Sequence, residues 1–202
     1  MSAEVPAWLS SALKSAPKHA ARLTIATLAD ERSFGRGGFS LSSPAFEHGE
    51  ELDPCFTADE EDAVAPPLEW NAPPPGAQEI VILVEDADAG GDTPTCHWTV
   101  WGLPGQKGML LEGETPPRVG KNSQRNSEWQ LPAPPMDDDA HIYVFQIFAL
   151  DLPMVLMPGA SRAELVKAME GHVVAAAVLT GTYKREEGDD DLADNWDEDD
   201  DG

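Results

Sequence analysis

Glu79-Ile80-Val81-Ile82-Leu83-Val84-Glu85-Asp86 is the stretch whose reading decides the fold. An unbroken apolar run closed by acids, this short and rich in β-branched residues, reads as a strand covered on both faces. Successive side chains of a strand alternate between faces, so Ile80, Ile82, Val84 and Asp86 lie together. Asp88 leaves the strand end on the same side if the extended conformation continues. Two further strands carry strong signals. His97–Leu103 contains Trp98, Val100 and Trp101, and His141–Leu150 contains Tyr143, Val144, Phe145, Ile147 and Phe148. The stretch between them, about forty residues rich in Gly, Pro, Asn and Ser, is long for a loop in a compact domain and reads as functional or mobile.

Downstream, Ser161 and Glu164 make a capping box ahead of Leu165, Val166 and Met169, and Gly171 closes that helix. Val173–Tyr183 reads as a last strand, with Gly181 marking a bulge or a close approach. Upstream, Trp8, Leu9, Ala12, Leu13 and Ala16 recur at helical spacing over Pro6–Ala16, and Pro17 stops the helix. A helix this short docks its stripe on something, either its own domain or a second subunit, and the second option would make a homodimer. Leu23, Ile25 and Thr27 alternate as in a strand, and Phe39–Phe46 reads as a strand and turn. Gly35–Gly38 lacks the spacing and the Lys-Ser/Thr of a phosphate-binding loop and reads as a turn. Several strands and only two short helices imply a mainly β fold, two packed antiparallel sheets with a few short peripheral helices. The chain divides into an N-terminal extension (1–21), a β domain (22–185) and an acidic tail (186–202).

Charge narrows the function classes. The formal net charge is -24. Glu186–Gly202 is low-complexity acid without Lys or Arg and reads as disordered. The body without it is still strongly acidic, which argues against binding nucleic acid through its phosphates or docking on anionic membranes. No apolar run approaches the ~20 residues of a membrane span, and the start lacks the features of a secretory signal. Two cysteines, Cys55 and Cys96, are too few for a disulfide framework and read as reduced thiols, so the expected location is cytoplasmic.

Polar residues at strand ends are the candidates for chemistry. Asp86 and Asp88 follow one strand, His97 opens the next, and His141 and Tyr143 share a face of the third. Loops at strand ends build pockets on a rigid scaffold. A histidine beside a carboxylate tends to keep its proton, so two such imidazoles can bind a phosphate or carboxylate. Asp86, Asp88, His97 and His141 could also hold zinc, although no compact helical His-x-x-x-His pattern is present. A hydrolase with Ser123 as nucleophile is weaker still, because no Gly-x-Ser-x-Gly elbow surrounds it. Lone histidines at His19, His48 and His172 read as ordinary hydrogen-bonded residues.

The same residues fall into an ordered series of motifs. Asp86-Ala87-Asp88-Ala89-Gly90 precedes His97-Trp98, and Leu131-Pro132-Ala133-Pro134-Pro135 precedes His141-Ile142-Tyr143. Ser43-Pro44-Ala45-Phe46, Pro66-Pro67-Leu68-Glu69-Trp70, Gly120-Lys121-Asn122-Ser123 and Glu170-Gly171-His172-Val173 through Gly181-Thr182-Tyr183 support them. In this series, over about Phe39 to Arg185, the chain resembles the phosphatidylethanolamine-binding protein family, also called the Raf kinase inhibitor protein family, and looks most like its bacterial branch. The resemblance implies two antiparallel sheets with a small pocket for phosphate, phospholipid head groups or other small anions. It also implies, for some members, binding to kinases or other signalling proteins. Asp86, His97, His141 and Tyr143 match pocket positions, Asp88 belongs to the first motif, and Trp98 and Pro132 match the neighbouring wall. The expectation is a non-catalytic binding protein without metal or cofactor, with a hydrolase as the alternative. Four positions depart from the family pattern. Ala87 and Gly90 replace prolines and should loosen their loop, Leu131 replaces a glycine and should narrow the mouth, and Ile142 replaces an arginine.

Overall fold

The computed structural model describes residues 4–186, so the acidic tail beyond Glu186 lies outside the described residues. Three strands, β1 (Leu41–Ser42), β2 (Leu68–Trp70) and β5 (Gly108–Leu110), form a small antiparallel sheet in the order β1-β2-β5. Four longer strands, β3 (Glu79–Asp86), β4 (Thr95–Pro104), β6 (His141–Leu150) and β7 (Val173–Tyr183), form the main antiparallel sheet in the order β4-β3-β6-β7. Every residue of β3 and β6 is buried, as the continuous apolar reading requires.

Alternation sorts these side chains into two cores. Ile80, Ile82, Val84, Val100, Phe145 and Ile147 face the small sheet and pack with Leu68 and Trp70. Val81, Leu83, Trp101, Val144 and Phe148 face the other way. That outer face is covered by α1 (Ala7–Ala12), α2 (Thr24–Leu28) and α3 (Arg162–Met169), which bury Leu9, Leu13, Ile25, Leu165 and Met169. The N-terminal stripe therefore docks on its own domain rather than on a second subunit. Within residues 4–21, Leu9, Leu13 and Ala20 pack into the outer core. α1 ends earlier than expected, because Lys14 turns to a positive φ of 56° before Pro17 is reached.

Two strand expectations are corrected. Leu23, Ile25 and Thr27 lie in and beside a helix, since a short apolar run fits either period. The sheet beneath decides the matter. The Glu85 carboxylate accepts from the backbone N–H of Thr24 (2.8 Å) and from its hydroxyl (2.9 Å), and Gln146 Oε1 accepts from the Ile25 N–H (2.7 Å). The orphan N–H groups of a helix start are thus satisfied by side chains from β3 and β6. Phe39–Phe46 pairs only at Leu41–Ser42, and Phe39 and Phe46 instead enter the inner core.

The fully buried Glu85 is compensated by four donors. Besides the two from Thr24, Gln146 Nε2 donates to it (2.8 Å) and Arg162 at the start of α3 forms an ion pair with it. α3 itself opens with the expected capping box between Ser161 and Glu164. Gly181 marks a close approach rather than a bulge. Its pairing with Tyr143 is in register, and a Cβ there would come within 2.5 Å of the Leu52 side chain.

Both edges of the main sheet are occupied. The outer edge of β7 bonds with Ser33, Gly35, Gly49, Glu50 and Leu52, and the outer edge of β4 with Arg118, Gly120, Ser123 and Gln130. Removing the carboxylate with Glu85→Ala would leave a guanidinium and a helix start without their acceptor. We expect a loss of about 3 kcal/mol, read as a lower midpoint in urea unfolding. Glu85→Gln should lose less, because its amide oxygen still accepts from one of these donors.

Candidate functional site

In an antiparallel sheet the end of β3 and the starts of β4 and β6 share one rim, so Asp86 lies opposite both Thr95 and Tyr143. Asp86, His97, His141 and Tyr143 meet there and line a cavity of about 270 Å³. Its other walls include Thr95, Gln124, Gln130 and Leu131 with Ala133, Pro134 and Pro135. His97 reaches this rim through a bulge. Val84 pairs with Trp98 and Glu85 with Cys96, which leaves His97 as an extra residue of β4. A bulge of this kind re-aims a side chain. Strict alternation would send His97 away from Trp98, yet both rings pack with Trp129.

The two histidines sit in opposite electrostatic settings. His141 Nδ1 donates to Asp86 Oδ2 (2.7 Å), and the other Asp86 oxygen accepts from the backbone N–H of Asp88 (2.8 Å) and Ala89 (3.2 Å). The bond from Asp86 raises the pKa of His141 against the opposing effect of burial. Burial resists ionisation of Asp86, but the His141 bond and charge outweigh it and the net shift is downward. The pair is therefore imidazolium and carboxylate. His97 is pushed down by burial, against the pull of the Gln130 carbonyl that accepts from Nδ1 (2.6 Å) and the charge of Asp86. It is a neutral imidazole with the proton on Nδ1 and the lone pair of Nε2 left to the cavity. Its ring stands edge-on to Tyr143, with centroids 5.1 Å apart and an angle of 86°. Burial pushes the Tyr143 hydroxyl up, reinforced by Asp86 and Asp88, so it remains an O–H donor.

Not every predicted residue lines the cavity. Asp88 is turned to the backbone, where its oxygens accept from the N–H groups of Lys18 and Ile142 (2.7 Å each). It clamps the N-terminal layer to the start of β6. The same clamp, with the Ala87 carbonyl accepting from the His19 N–H (3.1 Å), ties down the first half of a loop expected to be loose. Trp98 lines a neighbouring cleft of about 470 Å³ with Trp129, Glu128 and Val64. Pro132 is buried and its carbonyl accepts from the Ala58 N–H (3.0 Å). Leu131 is the wall shared by cleft and cavity, and Ile142 belongs to the outer core.

The four residues considered as zinc ligands do not form one donor set, because Asp88 is committed to amides. Among the described residues no group of three or more His, Cys, Asp or Glu could hold a metal ion. Ser123 lines a different cavity, its Oγ accepts from the Cys96 N–H (2.8 Å), and among the described residues no histidine is hydrogen-bonded to it. His48 and His172 have ordinary partners, the Ala12 carbonyl and Asp151. Among the described residues no helix is long and apolar enough to cross a membrane.

Asp138 was not anticipated. Its half-exposed carboxylate accepts from His141 Nε2 (3.1 Å), so both N–H groups of one imidazolium face carboxylates. Its place three residues before His141 was the available signal. Gln130 gave none, because it acts through its carbonyl.

A two-sheet β protein with a polar cavity at the rim of its main sheet is the class that fold and site define. The family model for phosphatidylethanolamine-binding protein matches residues 42–184. A UPF0098 protein of Pyrococcus horikoshii is 35% identical over 151 residues, covering 71% of this chain and 75% of its own. One of Aquifex aeolicus is 34% identical, covering 76% of this chain and 94% of its own. The crystal structure of a phosphatidylethanolamine-binding protein homolog from Chlamydia trachomatis superposes with a TM-score of 0.68 at 31% identity, covering 73% of this chain and 98% of that one. Escherichia coli YbcL, with a TM-score of 0.67 at 23% identity and coverage of 73% and 99%, shares the fold. The chain belongs to the phosphatidylethanolamine-binding protein family.

The opposite settings of the histidines are measurable. The bond that raises His141 contributes stability at pH values below the ordinary histidine pKa, and that contribution is lost as pH rises through the raised value. The downward shift of Asp86 confines the same contribution to pH above the usual carboxylate range, since it is lost as pH falls through the depressed value. Imidazole NMR should show His141 titrating above and His97 below the ordinary histidine value. In Asp86→Asn, His141 should fall back toward it.

Proposed function

We propose that the protein binds a small anion, phosphate or the phosphoryl head group of a larger molecule, in the cavity of Asp86, His97, His141 and Tyr143, and does so without catalysis. One observation carries this reading. A strongly acidic chain keeps an imidazolium at this rim, and the Nε2–H of that imidazolium already donates to an oxyanion, the Asp138 carboxylate at 3.1 Å. Tyr143 adds a neutral donor. His97 adds a second cationic donor once it takes a proton, which a bound anion favours. A dianion brings more charge to His141 than Asp138 does, so it can displace that side chain. Membership of the family supports a binding protein in general. The reading extends to a protein partner, a kinase or other signalling protein, that senses whether the cavity is filled.

Two charge-assisted hydrogen bonds at about 1.5–3 kcal/mol each, less ordering costs, place a bare anion in the micromolar-to-millimolar range. NMR titration with phosphate and phosphorylethanolamine at pH 6 should move the amides of Thr95, Gln130 and Tyr143. His141→Ala should abolish the response, and silence in the wild type at this pH overturns the reading. Sulfate, which does not titrate here, should bind more tightly at pH 6 than at pH 8, because His97 must take up a proton. Asp138→Asn removes the internal competitor and should tighten binding several-fold, by about 1 kcal/mol.

A further inference from the structure

A second cavity, of about 560 Å³, lies on the other side of the loop that walls the first. Gln124 and Gln130 face the first cavity, whereas Lys121, Asn122, Ser123 and Arg125 face the second. Arg162 and Ala163, the first two residues of α3, complete it together with Ser161 and Thr93. Three of the chain's 13 Lys and Arg thus meet in one cavity whose lining contains no Asp or Glu, in a chain with 37 acids. The first cavity includes Asp86, the aromatic cleft Glu114 and Glu128, and a groove beside β1 and β2 includes Glu69. Of these four concave surfaces it is the one whose lining has no acid, and local positive charge is what recruits an anion.

The three cationic groups are not equivalent. Among the described residues neither Lys121 nor Arg125 has an ion-pair partner, while Arg162 is anchored from behind by Glu85 and by the Thr24 hydroxyl (3.0 Å). Burial pushes the Cys96 thiol at the cavity wall up to about 12, so it adds no negative charge. Glu164 is the neighbouring acid, held below the ordinary carboxylate range by the bonds from Ser161 N–H (2.8 Å) and Oγ–H (2.7 Å) and, less strongly, by the charge of Lys121. Among the described residues nothing accepts from the backbone N–H of Arg162 or Ala163. The loop is fastened by the buried Asn122. Its Nδ2 donates to Asn126 Oδ1 (2.6 Å) and the Glu128 carbonyl (3.0 Å), and its Oδ1 accepts from the Gln124 N–H (2.9 Å). The Asn122 carbonyl accepts from the Arg125 N–H (2.9 Å), and this holds Arg125 at a φ of 65°, uncommon for a residue other than glycine. A preorganised loop and a helix start thus present cations to one space from two directions, the arrangement that a tetrahedral dianion satisfies best.

We propose that this cavity is a second anion site, in which Lys121, Arg125 and Arg162 bind a phosphate dianion, either free or as the phosphoryl group of a larger molecule. It is independent of the His97–His141 cavity. The test is amide NMR of the full chain, titrated with inorganic phosphate and separately with O-phosphoserine at pH 7.5. Ser123, Arg125 and Ala163 report this site, and Thr95, Gln130 and Tyr143 the other. Binding should move the first set, and the double variant Lys121→Met/Arg125→Met should weaken that response by at least about tenfold while leaving the second set as in the wild type. Both substituted residues are exposed, so an unchanged melting temperature confirms an intact fold. Tighter binding of phosphoserine marks a phosphorylated larger molecule as the source, and equal binding marks free phosphate. A wild type whose first set stays silent, or a double variant that titrates like the wild type, overturns the proposal.

Discussion

Glu85 and Asp86 stand side by side at the end of β3, and their side chains leave on opposite faces of the main sheet. Neither carboxylate can be left alone at that depth, because an unpaired buried charge is costly. Glu85 draws the starts of two helices onto the outer face, and Asp86 draws the His141 imidazole into the cavity. Layer and site therefore share one short length of backbone. A shift of one residue in the register of β3 would exchange the two carboxylates and undo both.

The cavity gains its chemistry from inequality. Two histidines of the same intrinsic basicity occupy one rim, and their hydrogen bonds drive them apart. The partner of His141 Nδ1 is a carboxylate, whereas that of His97 Nδ1 is a peptide carbonyl. One imidazole thereby keeps its proton to higher pH than usual, and the other is a neutral ring that can become a cation. Tyr143 sits between these states as a donor that burial keeps protonated. On the proposed reading such a set would hold an anion more firmly in acid than in base, and the cavity lies where loops at the ends of three strands meet.

Much of this was legible in the sequence. The limits of β6 and β7 and the capping box of α3 follow from apolar periodicity and local capping chemistry, which act over a few residues. Asp86, His97, His141 and Tyr143 were legible as strand-end residues in a recognisable order. What was not legible depends on partners far along the chain. Thr24–Leu28 is helical because Glu85 and Gln146 lie beneath it. Asp88 has the right spacing for the cavity, but the amides of Lys18 and Ile142 claim its carboxylate. His97 faces the cavity through a bulge, and alternation alone assigns it to the wrong side.

The occupied edges of the main sheet have a consequence for how the molecule meets others of its kind. An open strand edge is a template on which a second chain can add a strand, the route to swapped dimers and to fibrils. Here β4 and β7 already exchange hydrogen bonds along their outer sides with loop segments of the same chain. The loop beside β4 also carries residues of both cavities, Gln130 on one side and Ser123 on the other. The segment that shapes both cavities beside β4 thus also acts as a guard against self-association, and a lesion that frees it would expose a sticky edge before it unfolded the core.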